Sequence, residues 1–234
     1  MQLSDLIRLN EARAVRKAAM VVTDLSDGNV QLVLEGESVE GPLAEEVAKV
    51  FRSGKAAGVE VGGHALFLNV YLPPPRIVVI GAVHISQALA RLAPVAGYDL
   101  TIIDPRTAFA TEERFEGVRI EADWPEDALK RHPLDAYTAL AAVTHDPKID
   151  DYPLSEALKA GCFYVGALGS RKTHAKRVER LKDLGHTEEE IARIAAPIGL
   201  DIGAANPAEI AVAVLAQVVQ AFRGRDLGHR EVTP

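Results

Sequence analysis

Ile77-Val78-Val79-Ile80-Gly81-Ala82-Val83-His84 decides the fold. Four consecutive β-branched residues suit a strand buried on both faces. Gly81 then breaks the run, and a helix is expected over residues 84–95. The same pattern recurs downstream. Residues 100–103 read as a strand ending at Asp104, residues 118–121 as a shorter one, 137–143 as a buried one and 163–165 as the last. Helical stretches fall at 125–131 and around 154–159. Strands alternating with helices predict a parallel sheet with right-handed crossovers. The expected fold class is therefore α/β, a Rossmann-like domain. Three helices close it, at 171–184, 188–195 and 207–222. Thr187 with Glu190, and Asn206 with Glu209, have the spacing of reciprocal helix caps.

Working outward toward the N-terminus, the pattern changes. Residues 3–19 have roughly helical apolar spacing. Residues 19–24 and 30–34 are β-rich and flank Ser26-Asp27-Gly28-Asn29, a hairpin signal. A helix is expected over 42–52, stopped by Gly54, and strands over 59–61 and 65–72. These elements make a small α+β domain over residues 1–72. Pro73-Pro74-Pro75 can continue neither a strand nor a helix, so it reads as a stiff linker. The Rossmann-like domain then runs over 76–224, and 225–234 reads as a tail.

Composition narrows the function classes. Of 234 residues, 48% are hydrophobic, enough for a proper core. The net charge of −7 argues against general nucleic-acid binding, which needs a basic face. It leaves room for a small anionic ligand, which needs only a local positive site. Cys162 is the single cysteine, so an intramolecular disulfide and a multi-cysteine zinc site are excluded. No metal site is expected. No apolar stretch has the length of a membrane span, and the N-terminus lacks a signal peptide's apolar region. The expected localisation is cytoplasmic.

Four strand-end or loop segments carry candidate chemistry. A dinucleotide turn needs Gly-x-Gly-x-x-Gly, so that backbone can approach a pyrophosphate at the helix N-terminus. Here the three positions are Gly81, Val83 and Ser86. Asp104, 23 residues after Gly81, suits a contact with a ribose hydroxyl, whereas Arg106 suits a phosphate. The same residues also fit a sheet with an ordinary tight turn and no nucleotide. Thr144-His145-Asp146-Pro147-Lys148 follows a buried strand, where α/β sheets place ligands. His145 can exchange a proton near neutral pH, and Asp146 can orient it or bind a metal; a capped loop is the alternative. Gly166-Ala167-Leu168-Gly169-Ser170-Arg171-Lys172-Thr173-His174 joins glycines to cations at a helix start, with Ser170 as N-cap. This favours an anion; Lys172, Lys176 and Arg180 also fit a solvated basic stripe. Pro197-Ile198-Gly199-Leu200-Asp201-Ile202-Gly203 reads as a tight loop in which Asp201 answers Arg171 or a ligand. Cys162 reads as a small core residue rather than a nucleophile.

Taken together, these runs resemble the XdhC/CoxI family of xanthine dehydrogenase accessory factors. The matching segments are Ile80–His84, Ile103-Asp104-Pro105-Arg106, the run from Phe109 to Phe115, Thr144–Lys148, the run from Tyr164 to His174 and the run from Ala196 to Gly203. The resemblance implies a factor that binds the molybdenum cofactor, as molybdopterin or its dinucleotide form, and assists its sulfuration or insertion. Its partners would be a molybdenum hydroxylase apoenzyme of the xanthine or carbon monoxide dehydrogenase type and a cysteine desulfurase, with no nucleic acid and no membrane. Residues expected to hold the cofactor are Gly81, His84, Asp104, Arg106, His145, Gly169, Ser170, Arg171 and Asp201. The apolar last helix suggests a homodimer.

The resemblance departs at three places. Ser38 stands where the family has a cysteine, Glu60-Val61-Gly62-Gly63 replaces a Gly-Cys-Gly-Gly pattern, and Val83 replaces a glycine. Serine cannot carry a persulfide. The expected role is thus a cofactor-binding chaperone rather than a turnover enzyme. An NAD(P)-dependent oxidoreductase and an interaction protein with a vestigial site are the alternatives.

Overall fold

The computed structural model describes residues 1–224; the expected tail lies outside them. The chain divides into two compact units, Met1–Pro73 and Pro74–Phe222.

In the first unit, β1 (Ala19–Asp24), β2 (Val30–Leu34), β3 (Ala57–Val61) and β4 (His64–Tyr71) form an antiparallel sheet in the order β2-β1-β4-β3. Helices α1 (Leu3–Ala14) and α2 (Leu43–Ser53) complete it. α1 is shorter than its apolar pattern suggested, because Arg16 adopts a left-handed conformation (φ 56°) and turns the chain into β1. Gly62 and Gly63 both have positive φ, 61° and 83°, and form the β3–β4 hairpin turn. A two-residue turn of this kind needs glycine or a close substitute. Ser38 is exposed in the loop between β2 and α2.

The second unit holds six parallel strands: β5 (Arg76–Ile80), β6 (Asp99–Ile103), β7 (Arg119–Glu121), β8 (Thr138–Ala142), β9 (Tyr164–Ala167) and β10 (Ile194–Ala195). Their order is β10-β9-β8-β5-β6-β7, the doubly wound arrangement with its switch point between β5 and β8. Ile77 and Val79 face one core layer with α3 (His84–Leu92) and α8 (Pro207–Gly224). Val78 and Ile80 face the other, with α4 (Pro125–Arg131), α5 (Pro147–Lys159), α6 (Arg171–Asp183) and α7 (Glu188–Ala192). Each such buried side chain stabilises the sheet by about 1.5–3 kcal/mol.

Two departures from the sequence pattern are the largest in this unit, where α3 also stops at Leu92 rather than residue 95. α5 begins at Pro147, well before residue 154. Asp146 caps it by accepting a hydrogen bond from the Lys148 amide (3.0 Å), and Pro147 opens it where its missing N–H costs nothing. The helix expected over 188–195 ends at Ala192, after the Thr187–Glu190 capping box forms as expected. Ile194 and Ala195 instead pair with Val165 and Gly166 as a sixth strand, so β9 is not the last.

Candidate functional site

The carboxyl ends of β5 and β8 lie side by side, and their following helices depart to opposite faces of the sheet. Ligands of open α/β sheets sit in the crevice this creates. Gly81 is there for a steric reason. Its φ is +116°, and a Cβ would fall 2.7 Å from Cγ2 of Thr144, on the neighbouring strand end.

The turn after β5 closes on itself. The Ala82 amide donates to Oδ2 of Asp104 (2.7 Å), and the Ser86 hydroxyl donates to the Gly81 carbonyl (2.5 Å). Arg106 donates to Asp104 through its amide (2.9 Å), Nε (2.9 Å) and Nη2 (2.7 Å). Asp104 is wholly buried. Burial alone would raise its pKa, but the hydrogen bonds from Arg106 and Ala82 outweigh it and hold the carboxyl below the usual carboxylate range. The residue expected to meet a ribose is thus the anchor of Arg106. The Arg106 guanidinium rests over the Phe109 ring, 4.8 Å from its centroid, with Arg114 5.8 Å from the same centroid. His84 is exposed at the first position of α3, beside Val83 at the N-cap.

The end of β8 is pinned by a carboxylate that sequence reasoning passed over. Asp150, on the first turn of α5, accepts from the Thr144 hydroxyl (2.7 Å) and the His145 amide (3.1 Å). Burial pushes its pKa up to about 6. These bonds hold His145 in a left-handed conformation (φ 65°) with its side chain exposed.

After β9, Gly169 (φ +140°) leads to Ser170, whose hydroxyl caps α6 by accepting from the Thr173 amide (3.2 Å). Arg171 is exposed at the helix start. Asp201 is exposed in the loop before α8, and among the described residues no ion pair joins the two. A cleft of about 330 Å³ opens between α5 and α6, lined by His145, Pro147, Asp150, Asp151, Lys172, Thr173, Lys176, Arg177 and Arg180. Arg180 is paired with Asp151 through two nitrogens. Arg177 is only 2% exposed. Its Nη2 donates to the Leu168 carbonyl (3.0 Å), while Nε and Nη1 have no partner.

A family model described as the XdhC Rossmann domain matches residues 77–218, more than half of the chain. The chain belongs to the XdhC family. An uncharacterised Escherichia coli protein, YqeB, is 31% identical over 88% of this chain and 39% of its own length. The E. coli molybdenum cofactor insertion chaperone PaoD is 32% identical over 69% of this chain and 42% of its own length. The chain therefore spans less than half the length of these curated relatives. A crystal structure titled as a xanthine dehydrogenase from Bacillus halodurans aligns with a TM-score of 0.62 at 23% identity, over 99% of this chain and 66% of that one. It supports the fold alone.

Within this family frame, the expected residues divide into groups. Gly81, Asp104 and Arg106 form the closed turn, and His145 lines the cleft. Gly169, Ser170 and Arg171 lead into α6, one wall of that cleft. Asp146 serves as a helix cap, and Asp201 stands apart from the cleft lining. Sequence reasoning missed Asp150 and Arg177. The available signal was periodicity: Asp150 shares a helix face with Leu154, and Arg177 with Leu181, both at a spacing of four in stripes that are otherwise buried.

Cys162 is buried in the turn just before β9, and burial pushes its thiol up to about 12. Among the described residues no cluster of His, Cys, Asp or Glu could hold a metal ion, and no helix is long and apolar enough to cross a membrane.

Proposed function

We propose that this chain is a maturation factor for a molybdenum hydroxylase of the xanthine or carbon monoxide dehydrogenase type, and that it binds the molybdenum cofactor at the carboxyl edge of its parallel sheet. The observation that carries the reading is a cation-lined strand-end cleft with an unmet buried guanidinium, in a chain of the XdhC family similar to a cofactor insertion chaperone. The donor set is nitrogen and hydroxyl, which suits the phosphate and the polar edge of a pterin.

The cofactor brings the molybdenum chemistry to the client; this chain's residues bind and orient. Ser170 and Arg171 present the start of α6, His145 faces it from the β8 end, and Arg106 and His84 border the switch point. The donor set does not suit sulfur transfer by this chain itself. Its one thiol is buried and held protonated, and Ser38 offers only a hydroxyl. Sulfuration then falls to a thiol-bearing partner such as a cysteine desulfurase, and the role here is holding and insertion.

A nucleotide-dependent oxidoreductase is a weaker reading of the same edge, because the Ala82 amide is already donated to Asp104 and Val83 occupies the approach. Nor does α8 require a homodimer to explain its apolar sequence, since Ala211, Val214 and Val218 are buried within the domain.

The test is co-purification from cells that make the cofactor, read as the fluorescence of oxidised pterin. A near-stoichiometric signal is expected. Absence of pterin at micromolar protein, in cells whose hydroxylases are loaded, would overturn the reading.

A further inference from the structure

Four basic side chains line the α5–α6 cleft, against two carboxylates. Asp151 is taken by Arg180. Asp150 turns both oxygens toward the β8–α5 loop, where Thr144 and His145 occupy them. The neighbouring Arg177 is therefore close enough to be stabilised electrostatically by Asp150 but forms no hydrogen bond with it. A guanidinium has five N–H donors. Buried and short of acceptors, it is unfavourable relative to one that is paired.

Asp150 and Asp151 offset part of this cost through space but leave Nε and Nη1 without an acceptor. Lys172 and Lys176, one turn apart on the exposed side of α6, extend the positive surface from Arg177 toward solvent. Lys172 also stands in the first turn, where a cation opposes the helix dipole. Each of these features is unfavourable alone, and all are relieved together by one anion. Thr173 adds a hydroxyl to the lining.

We propose that this cleft is a phosphate-binding site in which the Arg177 guanidinium, at the floor, donates to phosphate oxygens while Lys172 and Lys176 close over them. The inference deepens the reading above and rests on it only for the identity of the molecule that carries the phosphate. In that reading the carrier is either the terminal monophosphate of the pterin or the pyrophosphate of its dinucleotide form, which share this chemistry.

The test is calorimetric titration of the full chain with inorganic phosphate and, separately, with pyrophosphate, against a constant excess of chloride. Saturable binding of at least one is expected. Tighter binding of pyrophosphate points to the dinucleotide form, and equal or tighter binding of phosphate to the monophosphate. Arg177→Met is expected to weaken binding about tenfold or more. Because that site is buried, Lys172→Ala/Lys176→Ala provides a second variant on an exposed face, expected to weaken binding several-fold at an unchanged melting temperature. No saturable binding of either anion by the wild-type chain overturns the proposal, as does binding that survives both variants. Anion binding without pterin co-purification would leave the cleft assignment standing and remove the maturation role. Pterin co-purification with an unresponsive cleft would do the reverse.

Discussion

The turn after β5 and the cleft between α5 and α6 lie on the same edge of one sheet, yet they dispose of their polar groups in opposite ways. In the turn, every notable donor finds an acceptor inside the protein: Ala82 and Arg106 meet Asp104, and Ser86 meets the Gly81 carbonyl. In the cleft, the guanidinium of Arg177, buried more deeply than that of Arg106, keeps two nitrogens without a partner. Internal satisfaction gives stability; unmet capacity, where the protein bears its cost, points to an external acceptor. The contrast separates scaffold from binding site more sharply than resemblance to a nucleotide turn does.

The comparison breaks if turn variants leave stability unchanged. Asp104→Ala carries the largest expected effect. It strands the buried Ala82 amide and removes the carboxylate that holds the partly exposed Arg106, a combined cost of about 3–4 kcal/mol. Urea unfolding measures this directly, and a loss below about 1 kcal/mol would mean that Asp104 is no anchor. Gly81→Ala comes next, at about 3 kcal/mol, from a positive φ and a Cβ placed 2.7 Å from Thr144. Thermal melting would show a clear drop, and an unchanged midpoint would contradict the close approach of the two strand ends.

Asp150 supplies a pH-dependent test on the cleft side. It is faced by Thr144 and His145 from the β8 end, by Arg177 from α6, and more remotely by Arg106. Its pKa rises from 3.8 to about 6 on folding, so between those values the folded chain holds more proton than the unfolded one. Stability is then greatest below this window and falls as pH rises through it, by about 3 kcal/mol in total. Asp150→Asn should flatten that part of the profile relative to wild type; parallel profiles would show that Asp150 does not titrate there. Ser86→Ala is the smallest effect, about 1 kcal/mol, for loss of one buried hydrogen bond. A neutral result in chemical denaturation would show that its bond to Gly81 adds nothing.

Much of the scaffold was legible in the sequence because burial on both faces leaves a continuous apolar run. Residues 77–80 announced the central strand, and Gly81 its exit. The caps at Thr187 and Asn206 were equally plain, since capping chemistry is local. β10 was not legible: two residues carry no periodicity, and their pairing with β9 is a long-range event. The candidate site divides in the same way. Thr144–Asp146 and Gly169–Arg171 were found because loop polarity at strand ends is a local signal. Asp150 and Arg177 escaped because charged residues on helices ordinarily read as solvated. Only the packing of α5 against α6 turns the stripe of Lys172, Lys176 and Arg180 into one wall of a cleft and sinks Arg177 beneath it. Asp104 shows the converse, since its position fitted a ribose contact while its burial makes it the anchor of Arg106.

The most direct measurement compares the two regions in one experiment: pterin co-purifying with Arg177→Met and with Arg106→Ala, each normalised to folded protein. Arg106 is held by Asp104 and borders the crevice, so its loss should reduce the signal only modestly. Arg177→Met should cut it to about half or less, because a tenfold weaker affinity leaves a site that was about nine-tenths filled only about half filled. Equal retention by the two variants, or a larger loss from Arg106→Ala, would contradict the assignment of the cofactor's anionic group to the α5–α6 cleft.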